Sequence, residues 1–471
     1  MCTRLTENGQ PTETFSSGIR PSVGEVTRLD GDTRVPERLT VLSQRLGAWG
    51  MTRRGLLWGF AAVHVVYLIG LLHVILFGGT QGDLPLYRLW AMQALHGQWP
   101  VIDDPWVYPA GALVPIVVPI VAGAYNYQLV WLVLVAAANI LAILALTGGM
   151  RRLSGYPAAW YWLLIQILLA PVSMLRLEAF SAPLAIAALV YVARRPAVAG
   201  VLIAAGAWIK VWPVALAAAA ATVSSRRRGI IFGGIGVSAV VAGVVVAFGG
   251  ASNLFSFITI QSDRAVQLEA PVATPWVWAT VLGIPGSQIR NNIELATREV
   301  TGPGEHLAGQ LVGVAMPIAF ALIVVLLWRA RRATMRAGRL TPGFEQRLIV
   351  RGSFALVGAL IIFNKVGSPQ YMLWLTPIVA VGLAVEPDAW RSVAWWMAGI
   401  SVATTIVFPI LYMPLVDADP VAASVLLARN VMLVGVFAVS VAGLWRMGAV
   451  APTRALAPAS LAVTGAVATQ V

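Results

Sequence analysis

The sequence predicts an all-α protein, a polytopic bundle of transmembrane helices, and three observations predict it. Charged residues make up 11% of the chain and hydrophobic residues 58%, against about 25% charged in a soluble globular chain. Apolar stretches near the roughly 20 residues that span a hydrocarbon core recur along most of the length. Arginines cluster in the gaps between those stretches, at Arg53-Arg54, Arg151-Arg152, Arg194-Arg195, Arg226 to Arg228 and Arg329 through Arg339, as they do in cytoplasmic loops under the positive-inside rule. The formal charge of +13 is thereby assigned to topology. Membrane lipid is the partner it implies, and no nucleic-acid partner is expected.

Residues 1–50 are polar and lack an apolar core, so they read as a disordered cytoplasmic tail and not as a secretory signal. The membrane domain is expected over 51–447, with a second cytoplasmic tail at 448–471. The single cysteine, Cys2, cannot form an internal disulfide.

Threading by charge gives the elements in order. The first span is Leu56–Phe77, and the acidic stretch after it, from Gly78 to Gly111, faces outward. Ala112–Val121 is too short to span and reads as half-inserted. Gln128–Leu146 returns inward, Ala158–Leu175 runs out, and Ala182–Ala193 comes back. Ala197–Val223 lies between two arginine clusters and must go out and return. Its break falls at Lys210-Val-Trp-Pro213, where proline removes a backbone donor, and broken helices in membranes line protein cavities. Ile230–Phe248 leads out to a long loop, Gly249 to Glu305. His306–Trp328, Leu348–Phe363, Tyr371–Val385, Trp390–Leu411 and Val425–Trp445 complete roughly ten to twelve membrane segments, with both termini cytoplasmic.

This threading gathers the polar residues on the outer side: Asp83, Asp103-Asp104, Arg176, Glu178, Lys210, Asp263-Arg264, Glu269, Lys365 and Gln370. Polar groups at membrane depth are costly and by default mark a site. Lys210 and Lys365 are the only lysines of the chain. Each ends an apolar run with a proline close behind, where a compact point charge suits phosphate; the alternative is snorkelling to the interface. Asp83 precedes an amphipathic stretch, Leu86–Leu95, that can lie on the membrane surface. There a carboxylate can take a proton from an acceptor hydroxyl or cap the helix. Asp103-Asp104 can bind a divalent metal through oxygen ligands or form a solvated loop, and the loop is favoured because no histidine or third clustered carboxylate is nearby. His64 and His73 read as packed within the first span. No phosphate loop, dinucleotide fingerprint or zinc motif occurs.

The motif order Asp83, Tyr108-Pro109, Arg176-Leu-Glu178, Ile209-Lys-Val-Trp-Pro213, Arg264-x-x-Gln-Leu-Glu269 and Ser368-Pro-Gln-Tyr371 resembles the GT-C membrane glycosyltransferases. Within them it is similar to the actinobacterial polyprenyl-phosphate-mannose-dependent α-(1→2)-mannosyltransferases of glycosyltransferase family 87, over about residues 55–445. The resemblance implies a GT-C fold and a hexosyltransferase that inverts the anomeric centre. It implies a polyprenyl-phosphate sugar as donor substrate, mannose before other sugars, and a glycolipid or cell-envelope polysaccharide as acceptor; no cofactor is expected, and the sequence leaves the metal requirement open. Asp83 is then the general base. Lys210, Lys365 and Arg264 hold the donor phosphate, while Arg176, Glu178, Glu269, Gln370 and Tyr108 contact sugar or acceptor. Arg176-Leu-Glu178 departs from the Arg-Phe-Asp of many relatives by one methylene in the acid. Two other readings are weighed beside this one: a transporter or flippase of lipid-linked saccharides, which paired broken segments in two halves would favour, and a non-catalytic assembly subunit, for which Asp83 is dispensable.

Overall fold

The structure is a computed structural model and describes residues 47–262, 264–292 and 297–449. Nearly all of the two expected tails lies outside the described residues, as does Asp263. From Gly50 onward the described chain forms one compact unit.

That unit is a helical bundle. Its first half comprises α1 (Arg53–Gly70), α2 (Leu72–Leu76), α3 (Leu84–Leu95), α4 (Leu113–Val117), α5 (Tyr127–Leu146), α6 (Tyr156–Leu168), α7 (Glu178–Tyr191), α8 (Pro196–Ile209), α9 (Val214–Val223) and α10 (Arg227–Ala247). Then come α11 (Ser256–Ser262), α12 (Thr274–Val281), the hairpin β1 (Gln288–Asn292) and β2 (Thr297–Thr301), α13 (Glu305–Arg336), α14 (Pro342–Ile362), α15 (Met372–Val385), α16 (Pro387–Thr405), α17 (Tyr412–Val416) and α18 (Pro420–Ala449). The central helix is α15, packed against α6, α7, α14 and α16. Where α8 crosses α10, glycines let the backbones touch. A Cβ on Gly200 would lie 2.1 Å from the Ile230 carbonyl oxygen, and one on Gly233 2.3 Å from that of Ala197. Small residues serve this purpose between membrane helices, where packing replaces the hydrophobic drive.

Five helical stretches among the described residues are long and apolar enough to cross a membrane: Ala124–Leu146, Arg227–Ala247, Glu305–Arg336, Pro387–Ile410 and Pro420–Ala449. Two of them, α10 and α13, expose large apolar side chains along their length, among them Phe232, Ile235, Val240, Leu311, Ile318 and Leu322. A surface this apolar is solvated by lipid and not by water. The chain is membrane-embedded.

The connections sort into two ends. Arg151-Arg152, Arg194-Arg195, Arg226 to Arg228 and the α13–α14 turn fall at alternate connections. Contacts between those turns join them: Ser225 donates to Glu345, Arg331 Nε donates to the Val223 carbonyl, and Gln346 donates to those of Leu189 and Val190. Trp328 and Trp445 lie under Arg332 and Arg329 there, an arrangement suited to a membrane interface. The opposite end gathers the intervening connections and every candidate site residue.

Several boundaries differ from the sequence reading for identifiable reasons. The first span breaks at Leu71, between α1 and α2. The expected Ala158–Leu175 span stops at Leu168, because Pro171 cannot continue the helix. The basic stretch after Trp328 is helical to Arg336, since arginine is a good helix former. The last helix runs to Ala449, past the expected start of the tail. The long loop holds a β-hairpin. The break at Lys210 falls where the proline placed it: α8 ends at Ile209 and α9 begins at Val214.

Candidate functional site

The site is built at the ends of helices, where the chain changes direction and polar side chains can turn inward. Gly82, with φ of 70°, turns the chain into α3; a Cβ there would meet the Leu175 Cβ at 2.9 Å. Asp83 follows at the N-cap position of α3, yet its side chain makes no capping hydrogen bond. Its Oδ2 instead accepts from Arg176 Nη1 and, at 3.2 Å, from the Tyr87 hydroxyl. Its Oδ1 has no partner among the described residues. With 22% of its side chain exposed, Asp83 is a carboxylate with one oxygen anchored and the other presented.

Arg176 and Glu178 arrive together because α6 stops early and the chain turns through Pro171 before α7 starts at Glu178. Glu178 is fully buried. Its Oε1 lies 3.5 Å from Lys210 Nζ and accepts from Trp374 Nε1 at 3.4 Å. Its Oε2 is buried without a partner among the described residues. Lys210 sits in the α8–α9 break, and its Nζ lies 4.3 Å from the centre of the Tyr108 ring. It is also within electrostatic reach of Tyr371 and Asp83. Two ion pairs, Asp83–Arg176 and Glu178–Lys210, therefore stand side by side. Tyr87, Trp90, Trp106 and Tyr108 wall one flank with edge and offset ring contacts. On the other flank Trp374 contacts Trp212 and Tyr371, at 6.2 and 4.0 Å between ring centres.

The segment after α11 adds a second part. Residues 266–268 pair with β2 through Leu268 N to the Arg298 carbonyl and Val300 N to the Val266 carbonyl, both at 2.9 Å. On the other edge Gln267 N donates to the Lys365 carbonyl at 2.8 Å, and Gly367 N donates to Gln267 Oε1 at 3.2 Å. The hairpin, the Arg264–Glu269 segment and the Lys365 loop are thus one hydrogen-bonded layer. Three buried donors in that layer have no acceptor among the described residues: Arg264 Nε, Gln267 Nε2 and Arg298 Nε. Arg264 is in electrostatic reach of Tyr371, and Arg298 of Tyr412. Gln370 Oε1 accepts from the Ser368 hydroxyl at 2.5 Å.

Glu269, expected to contact sugar or acceptor, is paired within the protein. Arg429 donates to its Oε2 at 3.1 Å and to its backbone carbonyl at 2.5 Å, and both side chains are buried. Burial raises the Glu269 carboxyl above the usual carboxylate range, against the opposing pull of Arg429. The pair ties the layer to α18. Asp103 and Asp104 close a turn: Trp99 N donates to Asp103 Oδ2 at 2.6 Å, and Val101 N to the Asp104 carbonyl at 3.0 Å. His64 Nδ1 is bonded to the Phe60 carbonyl at 2.8 Å within α1.

The structure thus brings Asp83, Tyr108, Arg176, Glu178 and Lys210 into one contact network, and puts Arg264, Lys365 and Gln370 on segments beside it. Sequence reasoning missed Tyr87, Trp374, Arg298 and Arg429. Only Arg429 carried a sequence signal, as a charged residue within an otherwise apolar span. Comparison with protein-family models, with curated proteins and with solved structures finds no match for this chain.

Proposed function

We propose that this membrane-embedded chain is a glycosyltransferase. It moves a hexose, mannose foremost, from a polyprenyl-phosphate donor to a glycolipid or cell-envelope polysaccharide on the outer face of the plasma membrane. Both termini are then cytoplasmic, with the arginine end inside. The observation that carries the reading is the asymmetry of Asp83, whose Oδ2 is held by Arg176 and Tyr87 while Oδ1 stays available.

In this reading Asp83 Oδ1 takes the proton of the acceptor hydroxyl as that oxygen attacks the anomeric carbon. The bond from that carbon to the phosphate oxygen breaks, the configuration inverts, and polyprenyl phosphate leaves. Arg176 holds Asp83 Oδ2 and so aims the carboxylate. The departing charge needs donors, and the layer beside the cluster offers Arg264 Nε, Arg298 Nε and Gln267 Nε2, all buried and without acceptors, together with Lys365. Preorganised donors of this kind stabilise charge at little reorganisation cost. Lys210 is held against Glu178 and Tyr108, so it meets the phosphate as part of a neutral pair. Glu178 Oε2, buried without a partner, is an acceptor for a sugar hydroxyl.

The test is transfer of labelled sugar from polyprenyl-phosphate-mannose to a membrane glycolipid extract, by the purified protein and its Asp83→Asn variant. Loss of about 10²–10⁴-fold in rate, with folding and donor binding kept, is the expected result. Equal rates remove Asp83 from the mechanism. If no polyprenyl-phosphate sugar is used by either protein, the glycosyltransferase reading fails, and the transporter and assembly-subunit readings take its place.

A further inference from the structure

A second polar cavity lies at the arginine end, far from the cluster around Asp83. It has a volume of about 540 Å³ and is lined by Ser224, Ser225, Arg226, Arg227, Arg228 and Arg331. The cations come from two elements: the α9–α10 turn with the start of α10, and α13. Among the described residues no carboxylate lines the cavity. Glu345 is engaged through Oε1 by the backbone and hydroxyl of Ser225, so it fixes the wall and makes no ion pair with these arginines among the described residues. Arg331 Nε is anchored on the Val223 carbonyl at 2.8 Å, which orients its guanidinium. The side chains of Arg226, Arg227 and Arg228 make no hydrogen bond or ion pair to a described residue. The positive-inside rule accounts for arginines in this turn. It does not account for their convergence with an anchored Arg331 on a cavity holding hydroxyl groups.

We infer that this cavity binds the phosphate of an anionic phospholipid headgroup. Guanidinium groups match phosphate in charge and geometry, and Ser224 adds a hydroxyl. A lipid is the source because the cavity opens beside an apolar surface. Phe232 and Ile235 lie one to two turns further along α10, and Val198 and Val201 lie on the adjoining α8, all exposed. The headgroup sits among the arginines and the acyl chains run along these side chains. Basic pockets between membrane helices hold lipid headgroups by this combination.

The experiment uses the full chain in detergent, with bound lipid counted by native mass spectrometry after exposure to equal amounts of phosphatidylglycerol and phosphatidylcholine. The expected result is retention of phosphatidylglycerol about tenfold over phosphatidylcholine, equivalent to roughly 1.4 kcal/mol. That preference disappears in R226Q/R227Q/R228Q and persists in R332Q/R336Q, which removes charge at the same end outside the cavity. The variant R226K/R227K/R228K keeps the charge that sets topology and loses the planar fork, and it retains less than half of the preference. Equal losses in the cavity and control variants would overturn the site in favour of diffuse surface attraction. Displacement of the lipid by millimolar inorganic phosphate, with no preference between the two lipids, would assign the cavity to free phosphate and overturn the lipid assignment.

Discussion

Lys210 and Glu178 meet at 3.5 Å inside the bundle, the carboxylate fully buried and the lysine side chain 14% exposed. Each removes the need for water around the other. Removing one partner of a buried pair leaves an uncompensated charge at about 3–5 kcal/mol. Lys210→Met and Glu178→Gln are each expected to lower the thermal unfolding midpoint in detergent. The double variant should recover most of the loss. Additive losses would show that the two residues act separately.

Tyr87 reaches Asp83 through a single hydrogen bond to Oδ2, the oxygen that Arg176 also holds. Tyr87→Phe should therefore weaken the aim of the carboxylate without removing the base. The loss of one hydrogen bond, about 0.5–1.5 kcal/mol, corresponds to a fall of about two- to tenfold in transfer rate. Steady-state kinetics on the two proteins checks this, and an effect as large as that of Asp83→Asn would contradict it.

Arg429 ties Glu269 to the last helix, and the raised Glu269 carboxyl gives this contact a pH signature. A carboxyl raised in the folded state binds its proton more tightly there than in the unfolded chain. It favours folding at low pH, and that contribution is lost as pH rises through the raised value. Arg429→Leu removes the group that opposes the rise. The variant should gain stability relative to wild type on acidification from about pH 8 to about pH 5, read from unfolding midpoints. Parallel pH profiles for the two proteins would exclude the coupling.

Gly367 lies against the backbone of the Arg264–Glu269 segment, and a Cβ there would stand 2.0 Å from Ala270 N. Gly367→Ala must push the Lys365 loop away from the layer that carries Arg264 and Gln267. A cost of about 1–3 kcal/mol in stability is expected, with the KM for the lipid donor rising more than kcat falls. Unchanged KM would separate this layer from donor binding.

Much of this architecture was legible because a few residue types dictate it. Pro213 and Lys210 announced the α8–α9 break, since no helix continues through that proline and no lysine is left in lipid unattended. The arginine clusters marked one end of the bundle for the same electrostatic reason. Asp83, Arg176, Glu178 and Lys210 could be assigned to a common face, but not to their pairs, because the pairing depends on an early stop of α6 at Leu168 that periodicity did not reveal. The hairpin was illegible: Gln288–Asn292 and Thr297–Thr301 are short and polar, and they become strands by pairing with each other and with residues 266–268. Arg429 was hidden in an apolar stretch, its purpose evident only once Glu269 lay beside it.

Two helices measure the depth of the polar cluster independently. Glu178–Tyr191 and Pro196–Ile209 both have 14 residues, a rise of about 21 Å each. Both start or end beside Arg194-Arg195, and both carry one partner of the Glu178–Lys210 pair at their far ends. Laid along the normal of a hydrocarbon core about 30 Å thick, helices of this length would leave the pair several ångströms short of the opposite boundary. A reactant tethered by an isoprenoid tail reaches that level without leaving the bilayer, whereas a sugar nucleotide would have to shed its hydration to descend to it. The shortness of these two helices thus suits the proposed transfer, whose donor would already dwell in the membrane.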